Sequence, residues 1–254
     1  MAVLPTPFTI AALGRQRTVR LYLPPGYGQG SKRYPVIYMH DGQNLFDDAT
    51  SYAGEWGVDE TLDQMAAKQG FEAIVIGVDN GAEKRMNELN PWDHPRFGPG
   101  EGEAYMAFIV DTLKPWVDSH YRTLTGPENT AIIGSSMGGL ISDYAIHRYP
   151  GVFGRAGVVS PAYWTAPPVY DYAQAHPLPA GARVYFSMGG REGDAVPAVE
   201  RMHTLMAAQH PEAGAVTLTI VPEDEHNEKA WRALLPQLLA FLFAPLPPAS
   251  TASR

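Results

Sequence analysis

The chain has 254 residues, 45% of them hydrophobic, enough to bury the core of one large α/β domain or two small ones. A net charge of −8 argues against nucleic acid or an anionic membrane as a main partner. The absence of cysteine excludes disulfides, a thiolate nucleophile and a cysteine-ligated metal.

Residues 1–10 lack a basic region followed by a long apolar run, so no signal peptide is read. A cytoplasmic location is expected; a secreted or periplasmic form trimmed of its leader would read the same. Apolar, β-rich runs predict strands at 19–23, 36–39, 73–78, 131–133, 156–159, 184–186 and 216–221. Most are continuous rather than alternating, as strands covered on both faces should be. The short spacing between the first two predicts a hairpin at the front of the sheet. Helical spacing of apolar residues predicts helices over 57–69, 104–120, 137–149, where Pro150 stops the helix, and 227–243. Alternation of strand and helix implies a mostly parallel sheet with helices on both faces, in a single domain over 1–244. The apolar stretch around 234–243 is too short to span a bilayer and reads as a buried C-terminal helix. The Pro/Ala/Ser-rich tail, 245–254, is expected to be disordered. Two long connections, 80–102 and 160–181, are predicted to wall a pocket.

One stretch carries most of the chemistry. A β-branched run leads into Gly134-x-Ser136-x-Gly138 and then a helix. This is the pattern of a nucleophile elbow, in which glycines flank a serine held at a sharp strand-to-helix turn. Register selects Ser136, because Ser135 would need a glycine where Ile133 stands. A serine hydroxyl needs a general base oriented by a carboxylate. Of the histidines that follow, His226 lies between the last predicted strand and the last helix, where the order serine, acid, histidine requires the base. Its acidic neighbours Glu223, Asp224 and Glu225 suit a helix start better than a metal site, and no metal is expected. For the acid, the glycine-rich turn after 184–186 offers Glu192, favoured by position, and Asp194, which also suits a helix cap. The oxyanion donors are expected to be the backbone N–H groups of Met137 and of Gln43, with that of Gly42 as the alternative to Gln43. His40 and Asp41 are read as supports of that loop. Trp56, Arg85, Trp92, Tyr163 and Trp164 are candidate pocket residues; Arg85 either pairs with Glu88 or faces a substrate carboxylate.

Together these residues resemble the putative-esterase family of α/β-hydrolases. That group includes esterase D-like S-formylglutathione hydrolases, enterochelin-type siderophore esterases, feruloyl esterases and mycolyltransferases. The matching segments run from Tyr34 to Phe46, with His40-Asp-Gly42 at their centre, through Glu55 to Asp59, Ile76 to Asn80, Arg85, Glu88 to Pro91, Tyr121-Arg122 and Gly134 to Gly139, to Gly189 to Glu192 and His226 to Trp231. The resemblance implies an α/β-hydrolase fold, with Ser136 as nucleophile, Glu192 at the acid position, His226 as base and the amides of Gln43 and Met137 at the oxyanion. It implies no cofactor, and a small-molecule ester as substrate. Ester hydrolysis through an acyl-enzyme is therefore expected. Acyl transfer by the same triad, or a binding protein on a hydrolase scaffold, are the alternatives.

Overall fold

The computed structural model describes residues 1–5 and 7–244; the predicted tail, 245–254, lies outside the described residues. In chain order the strands are β1 (Ala2–Val3), β2 (Phe8–Ile10), β3 (Arg15–Arg17), β4 (Val19–Tyr22), β5 (Val36–His40), β6 (Ile74–Val78), β7 (Thr130–Ser135), β8 (Arg155–Val159), β9 (Arg183–Gly189) and β10 (Val216–Val221). Strands β2 and β3 form a separate hairpin, and the other eight form one sheet in the order β1-β4-β6-β5-β7-β8-β9-β10. From β6 to β10 every pairing is parallel, while β1 and β4 run antiparallel at one edge. All seven predicted strands are present. The predicted hairpin is not: β6 lies between β4 and β5, pairing with both. Chain proximity misled there. Val75, Ile76 and Val78 of β6 are fully buried apolar residues that gain more in the middle of the sheet than at its edge.

The pleat sorts each strand between two cores. On β5, Val36 and Tyr38 face one and Ile37 and Met39 the other; on β7, Ile132 faces one and Ala131 and Ile133 the other. The first core is covered by helices α3 (Gly102–Phe108), α4 (Lys114–His120), α5 (Met137–Arg148), α6 (Val169–Ala175) and α7 (Val196–Gln209). The second is covered by α1 (Val58–Gln69) and α8 (Glu228–Phe243), whose Leu235, Leu238, Leu239 and Leu242 are buried. A short α2 (Arg85–Glu88) lies in the first long connection; numbering follows chain order. The helix predicted over 104–120 is present, but widens into a π segment at Ile109–Leu113 before α4. Pro115, just beyond it, has no N–H to give to an i−4 carbonyl, and the wider turn accommodates that loss. No helix among the described residues is long and apolar enough to cross a membrane.

Candidate active site

Strand β7 ends at Ser135, and the next residue turns the chain directly into α5. Ser136 has φ 57° and ψ −118°, a conformation that costs a non-glycine residue about 1–3 kcal/mol. Neighbouring backbone holds it there. Its N–H donates to the Val159 carbonyl at 2.9 Å, and its own carbonyl accepts from Ala162 and Leu140 at 3.0 and 3.1 Å. A Cβ on Gly134 would lie 2.6 Å from the backbone of Gly138, so no larger residue fits. Gly138 is less constrained than its motif position suggests, since a Cβ would meet the His40 side chain at 3.2 Å. The tighter position is Gly139, 2.7 Å from the Val159 carbonyl oxygen.

The acid and base come from the ends of β9 and β10. His226 and Glu192 are joined through Nδ1 and Oε2 at 2.6 Å. Glu192 Oε1 accepts from the Ser160 hydroxyl at 2.6 Å and the Gly189 N–H at 2.9 Å. Ser160 in turn accepts from the Trp231 indole N–H at 3.1 Å, and the Trp231 ring stands edge-on to His226 at 5.0 Å. Burial pushes the Glu192 pKa up, but hydrogen bonds from His226, Ser160 and Gly189 outweigh it and hold the carboxyl below its ordinary value. Of the two predicted acids, Glu192 is the one that reaches His226. Asp194 borders a neighbouring recess with Pro161, Trp164 and Tyr170. Glu223 and Glu225, weighed above as metal ligands, both pair with Arg191.

The predicted oxyanion loop follows β5. Its left-handed residue is Asp41 (φ 55°), not Gly42; the glycine is required because a Cβ would lie 2.7 Å from the Gly77 backbone of β6. Gln43 borders a cavity of about 740 Å³ together with Ser136, His226, Asn80 and Arg85. The Met137 N–H opens α5, where the first amides have no partner within the helix. His40 and Asp41 support the loop as expected. His40 Nδ1 bonds the Tyr105 hydroxyl at 2.8 Å, and burial brings the imidazole pKa down to about 4, so the ring is neutral at pH 7.

Arg85 does not pair with Glu88. Its Nε and Nη2 donate to the two oxygens of Asp41 at 2.6 and 2.8 Å, while Glu88 is bound by Arg15 and Arg17. Two pocket candidates are corrected. Trp56 is buried against Trp231 in the second core, and Trp92 packs edge-on against Tyr144 and Tyr172. Trp56 is fully buried and Trp92 half-buried, each held by aromatic neighbours rather than bordering the Ser136 cavities. Tyr163 is also buried, its hydroxyl bonded to Asp143 at 2.6 Å, although its ring edges the recess near Asp194. Trp164 is a true wall. It is 63% exposed, borders both that recess and a cleft of about 400 Å³ holding Ser136 and His226, and meets His94 and Phe97 edge-on. The long connections therefore wall the site through Asn80, Ala82 and Arg85 on one side and Ser160, Pro161, Ala162 and Trp164 on the other. Sequence reasoning missed Ser160, which bonds Glu192. Ser160 carried one usable signal, its place just beyond the carboxyl end of a strand beside the nucleophile.

A family model described as Putative esterase matches residues 10–242. The chain is 31% identical to the uncharacterised protein YbbA of Bacillus subtilis over 193 residues, 73% of this chain and 72% of that one. It is 27% identical to an endo-1,4-beta-xylanase/feruloyl esterase of Xylanibacter ruminicola over 60% of this chain, which spans only 20% of that protein. Among solved structures, the enterobactin esterase FES of Shigella flexneri superposes with a TM-score of 0.77 at 20% identity, covering 96% of this chain and 60% of that one. The extent of the family match and the identity to YbbA are together decisive: the chain belongs to the Putative esterase family and is an ester hydrolase built on the α/β-hydrolase fold.

Proposed function

We propose that the protein is a serine carboxylic-ester hydrolase working through an acyl-enzyme, with Ser136 as nucleophile, His226 as general base and Glu192 as the orienting acid. The observation that carries this reading is the 2.6 Å bond between His226 Nδ1 and Glu192, in a cleft that also holds a serine strained into the elbow conformation. Ser136 Oγ attacks the ester carbonyl while His226 Nε2 takes its proton, and the N–H groups of Met137 and Gln43 stabilise the oxyanion. Collapse of the tetrahedral species breaks the bond to the alcohol, which leaves with the proton from His226. Water, deprotonated by the same nitrogen, then releases the acid and restores Ser136. The His226 side chain is 45% exposed and Glu192 only 6%, so water reaches the base while the acid stays dry. This favours water over an alcohol as acyl acceptor.

The residues in these roles all come from loops beyond one sheet, which supports reading 1–244 as a single domain. The substrate is a small-molecule ester. The test is intact-mass analysis after incubation with a fluorophosphonate: one adduct on the wild-type chain and none on Ser136→Ala is expected. A folded wild-type chain that stays unlabelled and cleaves no ester would overturn the reading.

A further inference from the structure

The larger cavity at Ser136 is lined by two carboxylates that the mechanism does not use, Asp41 and Glu228. Glu228, in the first turn of α8, is only 7% exposed and borders this cavity with Ser136, His226 and Trp231. Among the described residues its carboxylate makes no hydrogen bond or ion pair, and neither oxygen is sealed from solvent, so it lines the cavity unengaged. A carboxylate left unpaired on the wall of a cavity is available to a cation that enters it.

The other charges around the cavity are matched. Asp41 is bound by both Arg85 nitrogens and by Asn80, and Glu192 is bound by His226. Glu228 is what remains, so the cavity is left with a negative charge. Burial alone would lower the Arg85 pKa; Asp41, and at longer range Glu228, raise it above its ordinary value. A substrate carboxylate at Arg85 would meet Asp41 already seated there and Glu228 repelling it. The same wall carries the rings of Trp231 and the 93% exposed Tyr52, and aromatic faces attract cations.

We propose that Glu228 receives a cationic ammonium group of the substrate, so that the preferred ester is one whose polar portion carries that charge. This rests on the serine-hydrolase reading above and specifies its substrate class. A polyhydroxylated neutral group, held by Thr50, Ser51 and Asn44 on the same wall, is the competing occupant.

The test compares choline butyrate with its uncharged isostere 3,3-dimethylbutyl butyrate on the wild-type chain, Glu228→Gln and Glu228→Asp, at matched ionic strength. The wild type is expected to favour the choline ester in kcat/KM by roughly tenfold or more. The preference should vanish in Glu228→Gln, which keeps the shape, and survive in part in Glu228→Asp, which keeps the charge. A wild-type enzyme that cleaves the neutral ester with no cationic preference overturns the inference and leaves the hydrolase reading intact. So does a preference that Glu228→Gln leaves unchanged. Quenching of intrinsic tryptophan fluorescence by tetramethylammonium, in wild type and Glu228→Gln, reads the site without turnover. Saturable quenching in the wild type alone supports the inference even on the inactive Ser136→Ala background, and equal responses sink it.

Discussion

Replacing Glu192 by Gln exchanges one carboxylate oxygen for an NH2 at constant shape, and the surrounding donors dictate which oxygen is lost. Oε1 must stay an oxygen, because the Gly189 N–H at 2.9 Å can only donate. The Ser160 hydroxyl, whose oxygen already accepts from Trp231, points its proton at the same atom. The new NH2 is therefore forced to face His226 Nδ1, where the native carboxylate accepts at 2.6 Å. Two donors cannot share that contact, so the imidazole must switch tautomer, leaving its proton on Nε2. That nitrogen can then no longer take the Ser136 proton. The equivalent loss in a serine–histidine–aspartate site is about 10⁴ in kcat, equal to about 5.5 kcal/mol of transition-state stabilisation. Hydrolysis of a p-nitrophenyl ester measures it, with circular dichroism confirming that the variant is folded. The phosphonate labelling rate should fall in parallel, since it draws on the same activated hydroxyl. A folded Glu192→Gln enzyme retaining more than about a tenth of wild-type turnover would refute the tautomer argument. An equal or greater loss in Asp194→Asn would instead move the orienting role to that residue.

Ser136→Gly is expected to abolish turnover yet be more stable than Ser136→Ala by about 1 kcal/mol, because glycine relieves the strain at φ 57° that alanine retains; equal melting temperatures would show that the elbow stores no such strain. Gly139→Ala should destabilise by about 2 kcal/mol or more and disturb the elbow, given the 2.7 Å approach to the Val159 oxygen, whereas Gly138→Ala at 3.2 Å from His40 should be milder in urea melts. The depressed Glu192 pKa gives a stability contribution that is present above the ordinary value of 4.5 and is lost as pH falls through the lower folded value. The difference in melting temperature between wild type and Glu192→Gln should accordingly stay constant above pH 4.5 and narrow below it, and a difference that widened in acid would reverse the sign of this linkage.

The strands were legible because they are continuous apolar runs buried on both faces, as in 73–78 and 131–133, where burial leaves a signal in composition alone. Their lateral order was not. Nothing local to 19–23 or 36–39 reveals that β6 inserts between them, because pairing is decided by how much apolar surface each position buries across the whole sheet. At the site, Gly134 and Ser136 could be read from the sequence because a sharp turn restricts residue type locally. The choice between Glu192 and Asp194 rested on position, since both lie in one glycine-rich turn. The structure separates them through a capping arrangement in which Glu192 reaches back three residues to the Gly189 N–H. The aromatic candidates were the least legible. An indole suits a core and a cleft equally well, and Trp56, Trp92 and Trp164 differ only in what folds over them.

The residues assigned to the chemistry are far apart along the chain. The proposed nucleophile, acid and base follow β7, β9 and β10, and the indole that reaches Glu192 through Ser160 lies on α8. During synthesis, the serine leaves the ribosome well before the histidine. A growing chain that has completed the elbow but not yet added β10 holds a hydroxyl with no proton acceptor. On the proposed assignment, hydrolytic competence therefore requires the C-terminal part of the chain and arrives only once β10 and the residues after it are in place.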